Sequence, residues 1–278
     1  MKLLIILLTL AACDNHRLNN LTSSSPYQIT KNITYNGVSV DLVIDKPEGD
    51  EFDVLIVFHG TVYFDNLILQ AANNTLNIFR GLLDNKKMMV ISVAYPEENL
   101  LMGDNILHSE AALLWIKNKA NSEIGVNVKK IFLAGHSQGG YLVTILNTMH
   151  QTNGVIANGP GPLNFLYRCE LEENGLAPNS QQCNLLRNHF GSTAVAPDVY
   201  LKRSLSSFTN GFYADILFVQ GLNDSPIQMH SWPSFKTDLV NCNDCQDIQI
   251  LELQGLGHNA LFNSSQAKTE FNNFINSR

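Results

Sequence analysis

The sequence is short of charge and holds no run of it. Asp, Glu, Lys and Arg make up 15% of the 278 residues, and the formal net charge is −7. Without a basic stretch the chain has no electrostatic footprint for a phosphate backbone, so nucleic acid is not an expected partner. No Gly-rich loop of phosphate-binding spacing occurs, and no His, Asp and Glu set has metal-ligand spacing. Neither a cofactor nor a metal is therefore expected. No internal repeat is present. Long apolar runs are missing too: Leu3 to Leu10 is too short to cross a bilayer as a helix. Cysteine is scarce, five residues in all.

What the N-terminus does hold has the shape of an export signal. Lys2 is a short basic region and Leu3 to Leu10 an apolar one, which assigns residues 1–12 to a signal peptide. Leu10-Ala11-Ala12-Cys13 resembles the lipobox of bacterial lipoproteins. That resemblance implies lipidation of Cys13 and a membrane partner through the lipid anchor. The alternative is an ordinary secretory signal; both readings export the protein, as a periplasmic or cell-surface lipoprotein or as a secreted one. Residues 13–26 are polar, rich in Asn and Ser, and read as a tether. Four cysteines remain, an even number that points to disulfides in an exported chain. Proximity favours Cys169–Cys183 and Cys242–Cys245. The Cys242-x-x-Cys245 pair has a rival reading as a redox or zinc half-site, but no second pair supports it.

From residue 27 to 278 the pattern is that of one α/β domain, long enough for a large core at 45% apolar residues. Gln28 to Tyr35 and Val38 to Ile44 flank Asn36-Gly37, a hairpin signal. Continuous apolar runs follow at Val54–Phe58, Met88–Val93, Ile131–Ala134, Gly154–Ala157, Ile216–Val219 and Ile248–Leu253. Unbroken rather than alternating runs suit strands covered on both faces of a parallel sheet. Helical patterns lie between them, at Leu67–Leu83, Ile106–Ala120, Tyr141–His150, Ser231–Val240 and Gln266–Ile275. One stretch breaks this rhythm. Residues 158–213 hold no clear core strand but carry Phe165, Tyr167, Phe190, Tyr200 and Phe208, so they read as a folded cap insertion rather than a disordered one.

Gly135-His-Ser-Gln-Gly139 is a G-x-S-x-G pentapeptide between a strand run and a helix pattern. That is the context in which such a Ser is a nucleophile; the bland alternative is a helix-capping Ser. A Ser hydroxyl needs a base, and the base needs an orienting acid. Asp224 follows the run Ile216–Val219, and His258 follows Ile248–Leu253. Both therefore lie at strand ends, along the edge where ligands of open α/β sheets bind.

The chain resembles the α/β-hydrolase superfamily over nearly the whole of residues 27–278. The resemblance rests on Gly-His-Ser-Gln-Gly, the Gly-x-x-Asp-x-Pro loop at Asp224, the Gly-x-Gly-His loop at His258, and His59-Gly60 after an early strand. It implies Ser137 as nucleophile, His258 as general base and Asp224 as its orienter. It also implies an oxyanion hole made by the backbone N–H groups of Gln138 and Thr61. The loop reads His-Gly-Thr-Val instead of the Gly-rich form of many lipases. The second donor is therefore Thr61 or Val62, and Tyr63 offers a hydroxyl nearby.

The rivals are weaker. Asp215, Asp238, Asp244 and Asp247 lack the strand-end placement of Asp224. His230 is expected just before a helix, outside any Gly-rich strand-end loop. His59 and His136 are expected to shape their loops, and Glu110 and Trp115 to pack. The expected activity is hydrolysis of a small-molecule or polymer-derived carboxylic ester through an acyl-enzyme. The alternatives are a serine peptidase of the prolyl-oligopeptidase-like type and an inactive hydrolase-fold binding protein.

Overall fold

The computed structural model describes residues 24–278. The leader, Cys13 and the tether as far as residue 23 lie outside the described residues. Residues 24 and 25, expected as tether, are tied to the domain: Gly49 N–H donates to Ser24 O, and Lys46 Nζ to Ser25 O at 3.0 Å.

Eight strands form one sheet: β1 (Tyr27–Tyr35), β2 (Val38–Lys46), β3 (Glu51–Phe58), β4 (Met89–Ala94), β5 (Asn127–His136), β6 (Gly154–Asn158), β7 (Ile216–Gly221) and β8 (Ile248–Leu253). Their order is β1-β2-β4-β3-β5-β6-β7-β8. The Asn36-Gly37 turn, with positive φ at both residues, closes an antiparallel hairpin, and β2 pairs antiparallel to β4. From β4 to β8 every pairing is parallel. Six strand C-termini therefore lie along one edge.

The helices are α1 (Ile68–Leu82), α2 (Ile106–Ile124), α3 (Gln138–Met149), α4 (Phe165–Glu173), α5 (Gln181–Phe190), α6 (Pro197–Leu201), α7 (Pro226–Val240), α8 (Ala260–Asn263) and α9 (Ser265–Asn276). The period-2 geometry of the strands splits the core in two. Val54, Ile56 and Phe58 of β3 face the cluster built with α2, α3 and α7, whereas Leu55 and Val57 face the one built with α1 and α9. Helix α1 buries Ile68, Ala72, Leu76 and Phe79 at helical spacing, one stripe against the sheet. Helix α3 is buried almost all round, as its lack of charged residues allows.

Two sequence expectations are corrected here. Helix α7 begins at Pro226, five residues before the apolar pattern starts. Pro is tolerated at the first helical position, where its missing N–H has no partner to lose, and Ser225 caps the turn by accepting from Gln228 N–H. His230 therefore lies inside α7, not before it, and its ring stacks on Tyr167 at 4.0 Å between centroids. Between β6 and β7 the chain folds into α4, α5 and α6, and a disulfide joins Cys169 in α4 to Cys183 in α5. Cys242 and Cys245 are bonded to each other, so neither sulfur is free for metal or thiol chemistry. Among the described residues no helix is long and apolar enough to cross a membrane.

Candidate active site

Strand β5 ends at His136, and α3 begins at Gln138, so Ser137 alone makes the turn. Its backbone sits at φ 56°, ψ −118°, a conformation an L-residue adopts only when its surroundings impose it. The surroundings do so through the backbone. Ser137 N–H donates to Asn158 O at 2.9 Å, while Ser137 O accepts from Tyr141 N–H and Gly161 N–H. Close packing adds to this: a Cβ on Gly139 would lie 2.1 Å from the carbonyl oxygen of Phe58. Only glycine lets α3 start against the end of β3.

Asp224 and His258 come from loops after β7 and β8. A Cβ on Gly221 would lie 2.2 Å from Gly257 O, so the two loops are packed backbone against backbone. His258 Nδ1 and Asp224 Oδ2 are 2.8 Å apart. The Asp224 side chain is only 4% exposed. Its burial works to raise the carboxyl, but hydrogen bonds from His258, Ser225 N–H and Gln220 Nε2 outweigh it and hold the pKa below the ordinary value. An ionised carboxylate only accepts, so His258 Nδ1 carries a proton, and in the neutral imidazole the lone pair is then on Nε2. Gln228 extends the network, donating to Gln220 Oε1 and to Pro160 O.

Ser137 and His258 line one cavity of about 220 Å³, together with Thr61, Tyr63 and Gln138. No hydrogen bond joins Ser137 to His258 among the described residues; such bonds often tighten only in the substrate complex. Gln138 N–H is the first of α3 and has no partner within the helix. Thr61 N–H likewise has no protein acceptor among the described residues, and the Thr61 hydroxyl donates to Gln138 Oε1 at 2.8 Å. Val62 differs: its N–H donates to Glu97 Oε2. Of the two alternatives for the second donor, Val62 is thus already occupied. Tyr63 is half exposed at the cavity rim.

Sequence reading missed Glu97 altogether. It follows β4 in Tyr95-Pro96-Glu97, on the strand-end edge of the sheet, and that placement was the available signal. Its carboxyl is pushed up to about 8, by burial first, with Val62 N–H opposing and the nearby Asp65 adding to the rise. His59 and His136 both pack among their neighbours. His59 stacks on Tyr95 at 3.9 Å, and the Tyr95 hydroxyl donates to His59 O. His136 packs against His258 with 4.8 Å between ring centroids and accepts from Asn158 Nδ2. Burial, helped by the neighbouring His258, lowers the His136 pKa to about 4. Glu110 pairs with His150 at 2.7 Å, and Trp115 is fully buried.

Comparison with known proteins agrees with this architecture. The model of the family described as BD-FAE matches residues 40–231, a stretch that includes Ser137 and Asp224 and ends before His258. No curated protein matches the chain in sequence. Among solved structures, Est1E from Butyrivibrio proteoclasticus superposes with a TM-score of 0.63 at 13% identity, covering 89% of this chain and 98% of its own. A fungal esterase from Rhizomucor miehei gives 0.64 at 15%, covering 91% and 83%. The acylaminoacyl peptidase of Pyrococcus horikoshii gives 0.62 at 14%, covering 90% of this chain but 41% of its own. At such identities the likeness establishes the fold: a mostly parallel eight-stranded α/β-hydrolase sheet flanked by helices.

Proposed function

The chain belongs to the BD-FAE family, and from that premise we propose that it is a serine hydrolase of carboxylic esters. The observation that carries the reading is the 2.8 Å contact of Asp224 Oδ2 with His258 Nδ1, with His258 and the strained Ser137 on one cavity. In this reading His258 Nε2 takes the proton of Ser137 as Oγ attacks the ester carbonyl carbon. The carbonyl oxygen becomes an oxyanion, received by the N–H groups of Gln138 and Thr61. Each such donor is worth about 10²–10³ in turnover. His258 then gives its proton to the departing alcohol, leaving an acyl group on Ser137. Water attacks that acyl group, with His258 as base again; the proton then passes from His258 to Ser137 Oγ as the bond to the acyl carbon breaks and the acid leaves.

The two disulfides fit an oxidising compartment, which supports export. Lipid anchoring through Cys13 is proposed on the Leu-Ala-Ala-Cys sequence alone. The test of the reaction is Ser137→Ala. The variant should fold as the parent does, lose p-nitrophenyl ester hydrolysis by a factor of about 10⁶, and fail to label with a fluorophosphonate. Undiminished hydrolysis in pure Ser137→Ala protein would falsify the reading.

A further inference from the structure

The cavity has two unlike walls. One is the reaction edge, with Ser137, Gln138 and His258. The other comes from the cap and is mixed: Pro162, Leu163 and Phe165 are apolar, while Asn164 and Arg168 from the start of α4, and Ser180 and Gln182 from the start of α5, add polar groups to the same space. A wall shaped for an alkyl chain alone would exclude Arg168, because burying a guanidinium against hydrocarbon leaves its N–H groups without partners.

Arg168 is the one residue on that lining that is a Lys, Arg, Asp or Glu, and two hydrogen bonds hold it. Its Nε donates to Glu172 Oε1 at 2.6 Å, and Nη2 donates to Pro178 O at 3.1 Å. Glu172 is fully buried and saturated, since Oε2 also accepts from the N–H and hydroxyl of Ser180. Glu172 thus anchors one edge of the guanidinium, and Nη1 has no acceptor among the described residues. A guanidinium N–H donor held in place in a partly buried site is suited to receive a carboxylate through a charge-assisted hydrogen bond. The cap is braced at the same point. Arg168 directly precedes Cys169, and Gln182 directly precedes Cys183, so the disulfide fixes both residues relative to each other.

Resting on the ester-hydrolase reading, we propose that Arg168 forms an anion subsite, and that the substrates are short esters in which the acid or the alcohol half carries a free carboxylate. The cavity volume of about 220 Å³ limits the span between that carboxylate and the scissile carbonyl. It lies below the roughly 300–1,000 Å³ common for ligand pockets.

Binding and turnover test this separately. Calorimetric titration of Ser137→Ala protein compares monoethyl succinate with ethyl butyrate, and O-butyryl glycolate with propyl butyrate, so that either half of the ester can bear the charge. At least one charged ester should bind about tenfold tighter than its neutral counterpart, the size of a charge-assisted hydrogen bond. In Arg168→Gln that ratio should fall toward one. In Arg168→Lys, which keeps the charge but not the fork, it should fall part of the way. The kcat/KM ratio of each pair, read by pH-stat on the active enzyme, should follow the same order. Equal binding within both pairs, or a preference that survives Arg168→Gln, overturns the subsite. Should a charged ester bind preferentially and yet no ester be cleaved by the active enzyme, the subsite stands and the hydrolase reading fails.

Discussion

Val62 gives its backbone N–H to the buried carboxyl of Glu97, and this contact separates the two adjacent amides of the loop after β3. One is tied back to the domain. The other, on Thr61, has no protein acceptor among the described residues, and Thr61 lines the same cavity as Ser137. Glu97 is itself fixed, since its N–H and that of Glu98 both donate to Asp65 Oδ1.

This arrangement makes stability depend on pH in a definite direction. Glu97 is held at about 8 in the folded protein, against an ordinary value of 4.5. The folded state therefore keeps a proton that the unfolded chain releases. The contribution is full below pH 4.5 and is lost as pH rises to about 8. The urea midpoint of the parent should fall between about pH 6.5 and 8.5, where the histidines below no longer titrate. Glu97→Gln, which still accepts from Val62 N–H, should flatten that fall. An unchanged slope would place the carboxyl in water.

The acid limb has the opposite sign. His59 and His136 both drop to about 4 from 6.5, through burial above all. Here the unfolded chain takes up protons that the folded state refuses. Stability is full above pH 6.5 and is lost as pH falls toward 4. Replacing His136 with Phe should shallow the fall of the melting temperature between those two pH values. A limb as steep as the parent's would mean that His136 titrates freely.

Asp224→Asn tests orientation apart from nucleophilicity. The amide can present its N–H to His258 Nδ1 and select the wrong tautomer, so kcat for an ester should drop by about 10⁴ while thermal stability changes little. Steady-state kinetics on a folded sample, checked by circular dichroism, decide this. A drop of less than tenfold would shift the orienting role to another acid.

Gly139→Ala should fail at the level of folding. Its Cβ would sit 2.1 Å from Phe58 O, and neither backbone can yield without moving β3 or α3. The expected cost exceeds about 4 kcal/mol, seen as loss of soluble protein or of the cooperative melt. A soluble variant of parental stability would mean that the start of α3 is free to move.

Much of the site was legible because its chemistry follows chain punctuation. Ser137, Asp224 and His258 each come directly after an apolar run. Once those runs are read as parallel strands, their ends must share an edge, and the structure places Asp224 and His258 in contact. The start of α7 was not legible, because Pro226 and Ser225 look like loop residues unless the cap they form is seen. Glu97 was invisible for a different reason. A glutamate in a loop reads as solvated, and only its burial against Val62 shows otherwise.

By itself the sequence determined the α/β alternation, the hairpin at Asn36-Gly37 and the Ser, Asp and His that could act together. Strand periodicity and turn chemistry are local, so local order encodes them. Tertiary structure alone decided which amide of the Thr61-Val62 pair is tied to a carboxyl, that of Val62 to Glu97. It alone turned Arg168 toward the cavity by fastening its other edge to Glu172. The first outcome depends on a carboxyl brought from elsewhere in the fold, and the second on the burial of Glu172 one turn along the same helix; burial depends on the packed fold rather than on neighbours in sequence.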